Sequence, residues 1–541
     1  MVVLLVVTVL FSILMLMPNV IFYSLKKQFS FAFASLLIPL GLFLLPLIIF
    51  QKTVKWYFSL LFIIVLFAPP ALLSVFYFGD RLNFEMISLA FFTTYSEATE
   101  LLSSYIWIIV ILYLIYIFLM IAAIMKLPAK VYARTALGFS FAGLVLLISG
   151  LFVQPQSISK TGFKNIIFSY FPFDLAQNIY LVKNYKNQME KFRADAHRFA
   201  YSDVVNHLED IPQVFILLIG ESARYAQWGI NGYSRNTSPN LSNWDHLISF
   251  SNIAASGTIT IYALPQILTG VTVDNYNSYL KQGGLALLFQ QAGFKTYWLS
   301  NQEPISANTF IQSSFADTLI MQVNTTHSQK NVNQDLALIE IVQKLLKEPA
   351  KKKLFILHCS GSHYNYQLRY PSSFEKFQPV ANSEWSRPTE VKSKEFLVNA
   401  YDNTILYTDS VIAASMASVK DFKGLGVVIY TSDHGENLFD DDRDFVFHAP
   451  VTFSKYVAHV PLFLYGNSTF RNLKPEKWKS LNENKNRAIS NNQIFFTMAD
   501  MAGIEFKENN PTQSFASDSF KDSPQKVMIG QNAFKTFKEA R

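Results

Sequence analysis

The sequence predicts a two-part chain: five transmembrane helices at the N-terminus, then an α/β domain built on a largely parallel sheet. Three observations predict it. Five long apolar runs crowd into the first 154 residues. From Gln213 onward, short apolar runs alternate with helix-like stretches. The whole chain is 50% hydrophobic, 15% aromatic and only 16% charged, against about 25% charged residues in a soluble domain. This balance excludes a disordered chain, and 49 Phe and 26 Tyr need somewhere to be buried. A single Cys excludes an intrachain disulfide scaffold. A net charge of +7 over 541 residues, with no dense Lys/Arg run, gives nucleic acid no footing.

The membrane part covers residues 1–154. Its apolar runs are 2–23, 29–50, 56–78, 105–125 and 135–153, each near the ~20 residues that cross the hydrocarbon core as a helix. One such run alone would also suit a signal peptide or a buried core helix; five in succession do not. Lys52 and Lys55, and Lys126, Lys130 and Arg134, mark two loops as cytoplasmic. Asp80, Glu85, Glu97 and Glu100 mark the loop between them as the far side, while Lys26 and Lys27 count weakly against this orientation. Five spans from an inner N-terminus leave everything after Val153 outside the cytoplasm.

Residues 155–212 read as an interfacial connector. The aromatic run FSYFPF at 168–173 suits a membrane interface. Residues 184–199 mix basic and apolar side chains, and an amphipathic surface helix and an ordinary packing helix fit them equally. In the domain 213–541, the runs 214–219, 296–299, 354–357, 427–430 and 460–464 read as strands, and 335–347 and 397–416 as helices. This alternation gives a largely parallel sheet covered on both faces, with its ligand site beyond the carboxyl ends of the strands. No GxGxxG follows a strand and no GxxxxGK[ST] occurs, so nucleotide cradling has no support.

Carboxylates and imidazoles gather at those strand ends. VFILLIG ends in Glu221-Ser222, VVIYTS in Asp433-His434-Gly435-Glu436, and LFILH in His358, followed by GSH with His363. Such donors bind Zn²⁺ or a related divalent ion. A lone Asp-His after a strand is more often structural; the coincidence of three strand ends is what points to a metal. The loop Ser256-Gly257-Thr258-Ile259-Thr260 supplies hydroxyls, and a hydroxyl beside a metal becomes a nucleophile. The residues alone favour a Ser/Thr turn and helix cap and do not choose between Thr258 and Thr260.

Five segments occur in order: GESARYAQWGINGYSRNTSPNL, SGTITIYALP, LHCSGSHYNYQLRYP, NAYDNTILYTD and YTSDHGENLFDDDRDFVFH. Together they resemble the membrane-bound phosphoethanolamine transferases of the alkaline phosphatase/sulfatase-like superfamily, which include the lipid A modifying enzymes behind polymyxin and colistin resistance. The resemblance implies a multi-pass enzyme of the bacterial inner membrane with a sulfatase-like catalytic domain in the periplasm. It implies Glu221, Thr260, Asp433 and His434 as the metal site, with one tightly bound Zn²⁺ and room for a second, weaker ion. It makes Thr260 the nucleophile and carrier of a covalent intermediate. It sets His363 and His448 around the phosphate or the second ion, His358 along the site, and Tyr401, Asp402 and Asn403 as positioning residues. Glu97 matches a pattern associated with a lipid head group. The donor implied is phosphatidylethanolamine, the acceptor lipid A or another envelope glycan, and the enzyme a monomer in contact with membrane lipid. With an intrinsic pKa of about 6.5, His363 and His448 are expected to exchange a proton or to hold phosphate as cations.

The sequence also departs from the family. Ser256 and Gln266 stand where relatives often flank the nucleophile loop with a disulfide, and Cys359 has no partner, so the loop is expected to be held by packing alone. Cys359 reads as a small buried residue. Residues 300–310 lack the Lys that some relatives aim at phosphate. Both departures weaken any choice of acceptor. Other readings are a glycerophosphotransferase, a phosphodiesterase or a sulfatase-like hydrolase on the same scaffold, and an inactive scaffolding protein. NAYDNTILYTD with GSHxxYxxRYP favours the phosphoethanolamine group, and intact Glu221, Thr260, Asp433 and His434 stand against inactivity.

Overall fold

A computed structural model describes residues 1–78, 81–92, 106–154, 162–195, 199–302, 312–321, 334–380, 391–448, 453–530 and 533–540. Asp80, Glu97 and Glu100 lie outside the described residues. The chain divides into two compact units: one holds the described residues up to Phe91 and on through Tyr185, the other those from Lys186 onward. The division falls inside one helix, Phe173–Asp195.

In the first unit, five helices are long and apolar enough to cross a membrane: Val2–Leu25, Phe29–Ile48, Val54–Phe76, Ile106–Lys126 and Ala133–Val153. They match the five runs read from sequence. The third is interrupted, with one helix at Val54–Val65 and the next at Ala68–Phe78. Pro69 and Pro70 sit at the break, and proline has no N–H to give to the helical ladder. A further apolar helix, Phe84–Phe92, occupies what the sequence suggests is only a loop.

The second and fifth spans approach backbone to backbone. A Cβ on Gly41 would lie 2.7 Å from the Gly143 carbonyl, and one on Gly143 would lie 2.9 Å from the Gly41 carbonyl. Ser140 Oγ donates to the Leu45 carbonyl at 2.9 Å. Small residues and interhelical hydrogen bonds of this kind hold helices together where hydrophobic burial cannot. Asn19, buried in the first span, donates to the Phe171 carbonyl at 2.8 Å and accepts from the Phe171 N–H at 3.0 Å. The aromatic run expected at an interface is therefore packed inside this unit: Tyr170 and Phe171 are buried, with Tyr170 edge-on to Tyr23.

The second unit is built on a seven-stranded sheet. In chain order its strands are β1 (Gln213–Gly220), β2 (Leu247–Phe250), β3 (Lys295–Ser300), β4 (Thr318–Met321), β5 (Lys352–His358), β6 (Leu425–Ser432) and β7 (Leu462–Gly466). Across the sheet they run β2-β7-β6-β1-β5-β3-β4. From β6 to β4 the neighbours are parallel, whereas β7 is antiparallel to both β6 and β2. β1 and β6 are buried along their whole length, which is why they read as continuous rather than alternating apolar runs. Two helices matter for the site: α1 (Thr260–Thr269) and the long α2 (Lys394–Lys420). The register sets Gly220 level with Ser432, and Ile219 level with both Thr431 and His358. Glu221 and Asp433 thus leave adjacent parallel strands side by side.

Candidate active site

Past Glu221 the chain turns through Ser222, whose φ of 57° is left-handed, a conformation that a non-glycine residue holds only when its surroundings impose it. Here they do. Ser222 Oγ donates to Glu221 Oε1 at 2.8 Å, and its N–H donates to Asp433 Oδ1 at 3.2 Å. The Tyr401 hydroxyl on α2 donates to the Ser222 carbonyl at 2.6 Å and accepts from the Arg224 N–H at 2.9 Å. From the other side Gly361 presses on Glu221: a Cβ there would lie 2.6 Å from the Glu221 nitrogen. Asp335, buried, fixes that loop by accepting from the Ser360 and Gly361 N–H groups at 2.9 and 3.0 Å.

Thr260 is the first residue of α1. Its Oγ1 donates to Asp433 Oδ2 at 2.7 Å and lies 3.1 Å from Glu221 Oε2 and 3.4 Å from His434 Nε2. His434 Nε2 is 3.3 Å from Glu221 Oε1 and 3.3 Å from Asp433 Oδ2. Its Nδ1 faces the Gly435 carbonyl at 3.0 Å, which calls for the proton on Nδ1 and leaves Nε2 as a ligand. Glu221, Asp433 and His434 are all buried. Among the described residues no Lys or Arg forms an ion pair with either carboxylate. Buried charges are paired or coordinate metals, and two carboxylates with an imidazole and a hydroxyl fit Zn²⁺ or a similar divalent ion. Thr258 is turned away: its N–H donates to the Met528 carbonyl at 3.0 Å.

His448 joins this cluster. Its ring centroid is 4.0 Å from that of His434, and ligand atoms of Glu221, His434 and His448 lie within 4.8 Å of one another. Its Nδ1 faces Glu436 Oε1 at 3.1 Å. Glu436, fully buried, is the strand-end carboxylate that the sequence reading names within the DHGE run without giving it a role. His363 Nδ1 faces the Tyr364 carbonyl at 2.6 Å. Burial pushes His363 down to about 4 and His448 to about 3. Burial thus favours the neutral imidazole at both positions, the form that can accept a proton. His358 is 2% exposed, with Nδ1 3.4 Å from Ser300 Oγ, and among the described residues its ring makes no hydrogen bond to the carboxylate cluster. Gln302 comes forward instead, donating to the Cys359 carbonyl at 2.6 Å and to Glu221 Oε2 at 3.3 Å.

The positioning motif on α2 acts through hydrogen bonds. Asp402 accepts from Gln227, Tyr233 and Arg235 at 2.9–3.0 Å, and Asn403 accepts from the Lys376 and Phe377 N–H groups. The nucleophile loop is not held by packing alone. Gln266 Nε2 donates to the Ser256 carbonyl at 2.8 Å, linking the two positions to which the family resemblance assigns a disulfide. Asn491, fully buried, accepts from Ser256 N–H and Oγ–H at 2.9 and 2.6 Å and donates to the Ser432 and Asp433 carbonyls at 3.2 and 3.3 Å. It bridges the nucleophile loop to the end of β6. Asn491→Leu keeps the branched four-atom outline, with bulkier methyl groups, and orphans these groups; Asn491→Ala, which adds no bulk, is the companion variant. Each should lower kcat by roughly 10- to 100-fold with bound metal unchanged; steady-state rates beside metal analysis check this, and an unaltered kcat would dismiss the bridge.

Acid should weaken this unit. Burial pushes His358 and His459 down to about 4, so both are neutral in the fold, while the unfolded chain takes up protons below about 6.5. Their stabilisation is whole above about 6.5 and is lost as pH falls towards about 4, roughly 3 kcal/mol for His358. The thermal midpoint of detergent-solubilised protein should drop across this window, and His358→Gln should flatten the drop. An equal slope in that variant would remove the assignment.

Residues 213–504 match the sulfatase family. Over 515 residues the chain is 26% identical to phosphoethanolamine transferase EptC of Escherichia coli K12, covering 89% of this chain and 86% of that one. Over 249 residues it is 32% identical to Kdo(2)-lipid A phosphoethanolamine 7''-transferase of the same strain, 45% of this chain and 42% of that one. In structure it matches the integral membrane lipooligosaccharide phosphoethanolamine transferase A (EptA) from Neisseria meningitidis, with a TM-score of 0.73 at 20% identity over 95% of this chain and 97% of that one. That likeness is one of fold. The periplasmic domain of Escherichia coli EptC, in a complex with Zn, matches with a TM-score of 0.57 at 26% identity, covering 63% of this chain and 97% of that one.

Proposed function

The chain belongs to the sulfatase family, and we propose that it is a phosphoethanolamine transferase of the bacterial inner membrane, its catalytic unit on the periplasmic side. It moves phosphoethanolamine from phosphatidylethanolamine to lipid A or another envelope glycan. The observation that carries the reading is the Thr260 hydroxyl, set 2.7 Å and 3.1 Å from the carboxylates of Asp433 and Glu221. It is supported by phosphoethanolamine transferases among the relatives that align over most of the chain.

Glu221, Asp433, His434 and Thr260 would hold the divalent ion. When bound, the ion lowers the pKa of a neighbouring hydroxyl and offsets charge on the phosphoryl oxygens. Thr260 Oγ1 attacks the donor phosphorus; the Thr260 O–P bond forms as the P–O bond to diacylglycerol breaks. Asp433 Oδ2 is the nearest acceptor of the hydroxyl proton, and the neutral imidazoles of His363 and His448 can carry a proton to the departing alkoxide. An acceptor oxygen then attacks the same phosphorus, the Thr260 O–P bond breaks, and Thr260 takes up the proton that the acceptor hydroxyl releases, or one from water where the acceptor is a phosphate.

Mass spectrometry of envelope glycolipids from cells with and without the gene tests the reading. A phosphoethanolamine added only in its presence is expected. Gain of phosphoglycerol instead, or simple loss of a phosphate or sulfate group, would replace it.

A further inference from the structure

His363 and His448 each have an aromatic neighbour in the chain. Tyr364 follows His363, and Phe447 precedes His448. Their rings meet in a corner, centroids 4.7 Å apart and planes at 65°. Both residues are half-buried. The buried Tyr366 stands edge-on to Tyr364 at 6.0 Å. The corner is imposed on the backbone. Phe447 has a φ of 63°, strain that a side chain with a Cβ keeps only under constraint. The constraint is visible: the short strand Val446–Phe447 pairs with Asn437–Leu438, and Asn437 Nδ2 donates to the Phe447 carbonyl at 2.7 Å.

Glu436 lies buried against His448, and the nearby Arg369 turns its guanidinium to the backbone, donating to the carbonyls of His363 and Tyr364 at 3.1 and 2.8 Å. What the site offers a cation is the pair of rings. Aromatic faces attract an ammonium through the ring quadrupole, more strongly where water is excluded. The group that the reading above assigns to Thr260 ends in an ammonium two carbons beyond its phosphate. The rings adjoin the histidines that flank that phosphate.

We propose that Tyr364 and Phe447 form an aromatic corner that receives the ammonium of the transferred group, and so set the preference for ethanolamine over an uncharged alcohol. This rests on the phosphoethanolamine reading and names its headgroup selectivity.

The test uses the full chain in detergent with zinc. Phosphatidylethanolamine or phosphatidylglycerol is added in mixed micelles without acceptor, and intact-protein mass follows the rate of headgroup capture. Wild type should capture from phosphatidylethanolamine in strong preference. Phe447→Gly removes the ring and accepts the left-handed backbone without steric penalty, and its thermal midpoint is read beside wild type to check the fold. Phe447→Gly and Tyr364→Leu should each lower the ethanolamine-to-glycerol ratio by about tenfold, and Tyr364→Phe, which keeps the ring, should lie closer to wild type. Equal slowing with both donors, the ratio unmoved, overturns the corner and leaves the rings as supports for the histidines. An unmoved ratio with a raised acceptor KM in full turnover also overturns it, assigning the rings to the acceptor. No capture from phosphatidylethanolamine by wild type overturns the functional reading itself, and the corner with it.

Discussion

Thr260→Ala should lose transfer by on the order of 10⁴- to 10⁶-fold, the scale at which removal of a catalytic nucleophile is felt, while the fold stays intact. Thr260 is the hydroxyl that touches both Asp433 and Glu221. Its neighbours cannot substitute: Thr258 is tied to Met528, and Ser222 Oγ already donates to Glu221 Oε1. Alanine suits the first turn of a helix, so α1 should form as before. Glu221, Asp433 and His434 remain to bind metal, and metal content should change little. Thr260→Ser keeps a hydroxyl and loses the branch that restricts its rotamer; partial activity is expected. Peptide mapping of wild type incubated with phosphatidylethanolamine should find the added mass on Thr260. An adduct on Thr258 or Ser222, or full turnover by Thr260→Ala, would sink the mechanism.

What could be read from sequence follows from what leaves a local trace. The five spans are legible because bilayer thickness imposes length and apolarity on each segment separately. Glu221, Asp433 and His434 are legible because a parallel sheet delivers the residues after its buried strands to one edge. β2 and β4 are four-residue strands with mixed burial, LISF and TLIM, too short to show a period. Asn491 is invisible for a different reason: it acts on Ser256, 235 residues away, and an isolated Asn carries no sign of its partner. Gln302 is missed likewise, and Glu436, though named among the strand-end carboxylates, shows no sign of its contact with His448. The hydrogen bond between Ser256 and Gln266 needs the helical turn that brings the two together. The charge states of His363 and His448 depend on burial, which their sequence neighbours do not report.

Asp433→Asn should show opposite effects on the metal-free and metal-loaded protein. Asp433 Oδ1 accepts from the His434 and Ser222 N–H groups at 2.8 and 3.2 Å, so an asparagine keeps its carbonyl oxygen there. Its NH₂ then takes the place of Oδ2, facing Thr260 and His434. Without metal, the wild type holds two carboxylates around one hydroxyl and one imidazole in a buried site; like charges at that range repel, and His434, raised by the two carboxylates, offsets at most one of them. Removing one charge should raise the thermal midpoint of chelator-treated protein. With zinc, the order reverses, because the variant loses an anionic ligand. Its affinity should fall by more than the roughly 10- to 100-fold that loss of an outer partner costs, and the stabilisation that binding confers falls with it. Transfer should be lost along with the metal. His363→Ala is the contrast, since its imidazole Nδ1 engages the Tyr364 carbonyl and not the carboxylate cluster: zinc stays and the rate falls. Thermal midpoints with zinc and with chelator, beside metal analysis, separate the two. A chelator-treated Asp433→Asn chain less stable than wild type would show that Asp433 serves the fold first, and zinc lost from His363→Ala would place that histidine among the ligands.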